Sequence, residues 1–513
     1  MKNKVNKKIL IIVAVAAVLL VGVMLLLIFL PNGGSGTATF DEGVDMTTSV
    51  DKNGVHQAQI ITNSEGEIDN NSYGTLTDYV PATISSIHVE NQYGSFDVES
   101  YTPVNEDGTT EATQYTLVGY EDFELQAGIP DAVANDAAAL DFTRVISLDG
   151  SNSSEYGFDN PVATVTVYYT DNTSAVYVVG NNALQDAGTY VKFGDSDTIY
   201  LVETDAVDAF SYGITDMISL TINDSASDSD NSKASSITIG GTHLESPLTI
   251  VPNTNENISA SYMITEPIEA FAGEIASSNV DGDIRGLYAT GVKMVNPSDS
   301  QLENLGLAKP YATLKAVYPD ATVELIASEP DSDGNVYLME KGKKVVYTIA
   351  ADSVVWVTTT LEDMLNEYVL MPKMPSVSEV TVNDGSKDYK YTLSSKTTTT
   401  TDDDGNETTS TATTVNYGDK EIETSYFSTY FQNITLITLA DTKTESFGGS
   451  PAFSVTYSYS SGGSDNVSFY DTGSNRYLAV VNGTAVGHVY NASITKLVAQ
   501  SSKIAANELI ETL

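Results

Sequence analysis

The sequence contains no cysteine, which excludes a disulfide framework, a thiolate metal site, a cysteine nucleophile and a lipoprotein acylation site. Histidine is nearly as scarce. His56, His88, His243 and His488 are the four present, none adjacent to another and none in a His-x-x-x-His or His-Glu pair, so no local zinc motif exists. Basic residues are few, 24 Lys and Arg against 69 Asp and Glu, giving a net charge of −45. A surface of that sign repels nucleic acid and anionic lipid head groups. It is either simply well solvated or attractive to cations or a basic partner. Also missing are a Gly-x-Ser-x-Gly elbow, a phosphate-binding Gly-x-x-x-x-Gly-Lys loop and a dinucleotide fingerprint in suitable context. Carboxylates are abundant, but no pair of them is singled out by spacing. The expectation is a protein that is not an enzyme, with no catalytic, cofactor-binding or metal-ligating residues and no cofactor.

What the sequence does have begins with a long apolar run. Lys2, Lys4, Lys7 and Lys8 precede Ile9–Leu30, a stretch without one charged or polar side chain. At about 1.5 Å per residue such a run crosses a hydrocarbon core of about 30 Å. Lysines on its N-terminal side alone put that side in the cytoplasm. The reading is a basic cytoplasmic tail (1–8), a transmembrane helix (9–30), a stalk (31–83) and an extracytoplasmic remainder. A cleaved signal peptide is the competing reading. The run is longer than a usual signal core, however, and Gly36-Thr37-Ala38 is a poor cleavage site.

Beyond the stalk, Val, Thr, Tyr and Ile alternate between Gly, Asn and Asp turns, as in antiparallel strands. One pattern recurs. Tyr156–Tyr169 reads YGFDNPVATVTVYY, Leu305–Tyr318 reads LGLAKPYATLKAVY and Phe447–Tyr459 reads FGGSPAFSVTYSY. Their prolines, Pro161, Pro310 and Pro451, set a period of about 145 residues. A later hairpin starts at Tyr190, Tyr337 and Tyr477, followed by short helices with Asp205, Asp352 and Asn491 or Ser493 as N-caps. Each copy begins on a similar strand, Ile84–Glu90, Ile218–Asn223 and Val377–Asn383, and carries a mostly helical stretch at 129–148, 266–295 and 421–440. The expected fold is α+β: the N-terminal transmembrane helix, then three tandem repeat units (84–217, 218–376, 377–513) of antiparallel sheet with packed helices. The glycine of each element supplies a left-handed turn and the proline opens a strand, a structural use rather than a site.

Ser225–Ser236 reads as an inserted loop and Ser394–Thr414 as a long hairpin or disordered loop. Asp331–Asn335 and Asp402–Asn406 look superficially like calcium loops but lack the later ligands, and Asp-Gly and Gly-Asn are ordinary turn pairs. Lys341-Gly342-Lys343-Lys344 reads as a hairpin tip. Trp356 and the tyrosines either line a sugar- or peptide-binding face or pack across strands, the second being the plainer reading.

Tyr156-Gly157-Phe158-Asp159-Asn160-Pro161, Val179-Gly180-Asn181, and Tyr190-Val191-Lys192 with Tyr200-Leu201-Val202 together resemble a bacterial family, domain of unknown function 4340. The first unit matches well. The second matches at Leu305–Pro310 and Tyr337–Tyr347, and the third departs, with Phe447-Gly448-Gly449 in place of the first element. The resemblance implies a fold and a location at the cell membrane, no activity, and a context of ABC-type transport. The functional expectation is a membrane-anchored extracytoplasmic scaffold or accessory protein, associated with an ABC transporter permease. The alternatives are a cell-surface module binding cell-wall glycan or peptide, and, less favoured, a hydrolase.

Overall fold

The computed structural model describes residues 73–513, less 106, 228, 230, 231, 402–406 and 474, together with the two-residue strands β1 (Ser49–Val50) and β2 (His56–Gln57). The expected transmembrane helix at 9–30 lies outside the described residues. Among the described residues no helix is long and apolar enough to cross a membrane. The α+β class is therefore corrected: of the described residues 41% are strand and 20% helix, in large antiparallel sheets, and none of them supports the single-pass membrane reading. The helical stretches shrink because parts of them alternate with period two. Of 129–148 only α1 (Ile129–Ala138) is helical, and the remainder is a strand that turns Leu140, Phe142, Val145 and Ser147 inward.

The chain divides into two compact units, 1–217 and 218–513. The first holds β3 (Gly74–Asp78), β4 (Ile84–Asn91), β5 (Gly94–Tyr101), β6 (Gln114–Leu117), β7 (Ala139–Ser147), β8 (Ala163–Tyr169), β9 (Ser174–Asn182), β10 (Thr189–Phe193) and β11 (Ile199–Val202). Their order in the sheet is β6-β5-β4-β8-β9-β10-β11-β7-β3. Pro130 sits in the first turn of α1, where no backbone donor is needed. The helix buries Val133, Ala134 and Ala137 against the sheet. Each fully buried valine contributes about 1.5–3 kcal/mol. Tyr177 reaches from β9 to donate to the Ala137 carbonyl at 2.9 Å, so burying its hydroxyl leaves no orphan.

The second unit contains two sheets. One comprises β12 (Ser236–Gly240), β13 (Leu248–Pro252), β14 (Tyr262–Glu266), β15 (Ala270–Phe271), β16 (Gly291–Val295), β17 (Ala312–Val317), β18 (Thr322–Ala327), β19 (Asn335–Glu340) and β20 (Val345–Ala350). The other comprises β21 (Val377–Asn383), β22 (Asp388–Thr401), β23 (Glu407–Tyr417), β24 (Lys420–Ile422), β25 (Phe453–Tyr459), β26 (Ser464–Asp471), β27 (Arg476–Val481) and β28 (Thr484–Tyr490). Their orders are β15-β14-β13-β12-β17-β18-β19-β20-β16 and β24-β23-β22-β21-β25-β26-β27-β28. All three sheets thus share one arrangement. A first strand pairs on one side with its own hairpin and on the other with the strand opened by the recurring proline, which starts a four-strand meander. Alternation explains why that strand is central: β8, β17 and β25 bury every second residue from Ala163, Ala312 and Phe453.

Helices α2 (Ile214–Met217), α3 (Glu274–Gly282), α4 (Asp299–Asn304), α5 (Leu361–Met364), α6 (Thr424–Thr435) and α7 (Asn491–Ala506) are short. α6 and α7 pack together, with Tyr430 Oη and Ser501 Oγ 2.6 Å apart in the core. Three local expectations need correction. Ile218–Asn223 makes only isolated bridges, at Ile218 and at Thr221, the latter with Tyr288, and the first strand of that sheet is β12. Asp205 and Asp352 lie within 3-10 turns (Thr204–Ala206, Ala351–Ser353) instead of capping α-helices. Asn491 and Ser493 fall inside α7, whose N-cap is Tyr490.

Candidate functional site

The three sequence elements that carry the family resemblance meet in one place. Tyr156 ends a 3-10 turn (Ser153–Tyr156), and Gly157 follows with φ +89°. A Cβ on Gly157 would stand 2.5 Å from the Asn181 side chain, and one on Gly180 would stand 2.3 Å from the Tyr156 carbonyl oxygen. Both positions therefore exclude side chains. The Tyr156 ring lies 4.7 Å from that of Tyr190, and Lys192 Nζ sits 5.1 Å from the centre of the Phe158 ring. Val162 N–H then donates to the Val179 carbonyl at 2.8 Å. The elements form a packing knot between the start of β8, the end of β9 and β10.

The described histidines direct both ring nitrogens at protein oxygens. His88 meets Asp97 at 2.7 Å and Glu90 at 3.4 Å, on neighbouring strands β4 and β5. Hydrogen bonding to Asp97 raises its pKa, burial opposes, and Glu90 adds to the rise. His488 meets Asp441 at 2.8 Å and Glu445 at 3.2 Å, with the same direction and order of causes. Asp441 also binds Arg476. Although burial pushes its carboxyl up, hydrogen bonds from His488 and the Lys443 N–H, with the Arg476 charge, hold it below its ordinary value. Asp441 and His488 form the isolated bridge beside the last meander strand of the third sheet, where β7 and β16 stand beside β11 and β20 in the other two. His243 faces the carbonyl oxygens of Tyr311 and Thr359 at 2.8 and 3.2 Å. His56 lies in β2, its side chain outside the described residues.

Among the described residues no group of three His, Cys, Asp or Glu side chains is placed to hold a metal. Asp331 Oδ1 accepts from the N–H groups of Asp333 and Asn335, both at 2.9 Å, which makes the segment a turn. Asp402–Asn406 is outside the described residues. Lys341 sits at the β19–β20 hairpin and pairs with Glu324 at 2.7 Å. Trp356 is 0% exposed, and Tyr177, Tyr391, Tyr430 and Tyr457 are buried with it, so these rings form cores and not a binding face.

The sequence reading missed a polar cleft in the second unit, a cavity of about 340 Å³. α3 carries Asp281 along one wall. Tyr262 comes from β14, Tyr318 from the end of β17, and Arg285 from just after α3. Tyr262 donates to Asp281 Oδ2 at 2.5 Å. Arg285 grips Asp320 through two bonds, 2.9 and 3.2 Å, and lies 4.9 Å from the Tyr318 ring centre. Ser261 binds Glu274 through both its N–H and its hydroxyl. Burial, then the Asp281 carboxylate, pushes the Tyr318 phenol well above its usual range, and the Arg285 charge only partly opposes this. Two oxygens, Asp281 Oδ1 and Tyr318 Oη, are buried with no hydrogen-bond partner among the described residues. Each such group costs about 1–3 kcal/mol. One signal was available: arginine occurs three times, at 144, 285 and 476, and the last two each hold an aspartate. The arrangement can bind polar groups. No histidine is among the described residues that line it.

No curated protein and no solved structure matches the chain. The family described as domain of unknown function (DUF4340) matches residues 116–259 and 267–459, two segments that include the packing knot, the central strands of all three sheets and the lining of the cleft apart from Ser261 and Tyr262. The chain belongs to that family.

Proposed function

We propose that this protein is a non-catalytic scaffold that works outside the cytoplasm and holds a partner protein against a series of similar sheets. The observation that carries this reading is the strand order common to all three sheets. Repetition of one framework extends a surface without building a reaction centre. The occupied ring nitrogens of His88, His243 and His488 are in keeping with it. The partner class to test first is an ABC-type permease, the context implied by the resemblance. The experiment is a mild extraction of the tagged full chain from the cells that make it, with mass spectrometry of what accompanies it. A stoichiometric permease or ATPase supports the scaffold. Recovery of the protein alone, with the protein binding purified cell wall instead, refutes it. That outcome favours the second reading, a cell-surface binding module, for which the polar cleft is the supporting observation.

A further inference from the structure

We propose that the cleft beside α3 is a binding site for a neutral, polyhydroxylated small molecule of monosaccharide size. The proposal stands apart from the scaffold reading, so either can fail alone. The size fits: about 340 Å³ lies at the lower end of the range for small-molecule sites. The chemistry of the walls points to hydroxyl groups. Ser225, Ser232, Ser261 and Ser278 line the cavity with the two tyrosines, and hydroxyls donate and accept alike.

Charge narrows the class further. Lys233, Arg285 and Asp281 line the cleft and Asp320 binds Arg285, so these four charges cancel, while Asp224 and Glu274 stand nearby outside the lining. An anion entering would face Asp281, and a cation would face Lys233 and Arg285. A sugar hydroxyl can donate to Asp281 Oδ1 and accept from Tyr318 Oη, giving both partnerless oxygens what they lack. Tyr318 is 4% exposed. A hydroxyl reaching these oxygens, after a small turn of the side chains around them, meets little competing solvent.

Two variants separate binding from structure. Gly282 lines the cleft, and a Cβ there would meet nothing within 4 Å, so Gly282→Phe fills the cavity without colliding at its first atom. Tyr318→Phe removes only the partnerless hydroxyl and keeps the ring under Arg285. The experiment is saturation-transfer NMR on the full chain with D-glucose and N-acetyl-D-glucosamine, beside glycine and inorganic phosphate, with urea unfolding of each variant. The expected result is saturable binding of at least one sugar at about millimolar or tighter affinity, weakened about tenfold or more in both variants. The unfolding midpoint should be unchanged, or raised for Tyr318→Phe. The proposal is overturned if neither sugar binds at about 20 mM, if only glycine or phosphate binds, or if sugar binding survives both substitutions.

Discussion

Asp136 gives the sharpest test of the energetics. It sits on α1 and accepts from the Ala209 N–H at 3.2 Å, in the turn Asp208–Ser211. Burial pushes its carboxyl up to about 6. The Ala209 hydrogen bond opposes this, and the charges of Asp208 and Asp205 add to the rise. The usual linkage is therefore reversed at this residue. The folded state holds the proton more tightly than the unfolded chain between about pH 4 and 6, so the Asp136 contribution to stability grows as pH falls through that window. Above pH 6 both states are ionised and the full cost of burying the charge is present. A rise of about 2 units corresponds to at most about 3 kcal/mol. Because the side chain is only half-buried, screening reduces this to about 1 kcal/mol. Asp136→Asn keeps an oxygen for the Ala209 N–H and removes the charge. It should stabilise α1 by about 1 kcal/mol at pH 7 and by nearly nothing at pH 4. Hydrogen exchange of residues 129–138 in the full chain reads the difference directly. Trp356, in the other unit, reports by fluorescence whether the effect stays local. A loss of protection at pH 7, or the same gain at both pH values, would refute the reasoning.

Three further outcomes follow from the geometry. Gly180→Ala should destabilise the first unit by about 2 kcal/mol or more, because its Cβ would lie 2.3 Å from the Tyr156 carbonyl, and urea unfolding at an unchanged m-value would establish it. The Asp441–His488 pair should be most stabilising between about pH 4 and 6.5. The lowered Asp441 loses its share as pH falls through its folded pKa, and the raised His488 loses its share as pH rises through its own. His488→Gln should then cost about 1–2 kcal/mol at pH 5.5 and clearly less at pH 8.5, and equal losses at the two would contradict this. Trp356→Ala should cost about 3–5 kcal/mol, whereas Trp356→Phe should cost much less, because it also deletes an indole N–H buried with no partner among the described residues. Circular-dichroism unfolding of the two variants distinguishes these, and equal losses would mean the N–H is satisfied.

The strands opened by Pro161, Pro310 and Pro451 were legible because one wet and one dry side impose strict alternation. Of the two readings of Ser394–Thr414, hairpin or disordered loop, the hairpin forms: Ser394–Thr401 pairs in register with Glu407–Thr414. The limits of alternation show at Ile218–Asn223. Ile218 and Ile222 are buried as the pattern suggests, yet a partner strand is a property of other segments, and only isolated bridges form. The 129–148 stretch misled in the opposite way, since its alanines favour helix while Phe142 and Val145 belong to a strand that needs β11 beside it. Beyond the scarcity of arginine, the cleft left no trace in the sequence. Tyr262, Asp281, Arg285 and Tyr318 converge from three segments, and Asp281 is one carboxylate among 69 acidic residues.

The knot of Tyr156, Gly157, Gly180 and Tyr190 bears on what kinship within this family can mean. A reactive centre restricts which atoms meet a substrate, whereas this contact restricts how closely two backbones approach. Descendants that keep it inherit a joint, and with it the angle at which one hairpin leaves another. Everything hung on that joint is free to diverge. Two chains with the same glycines can therefore share the angle of that joint and differ in every cleft and loop attached to it.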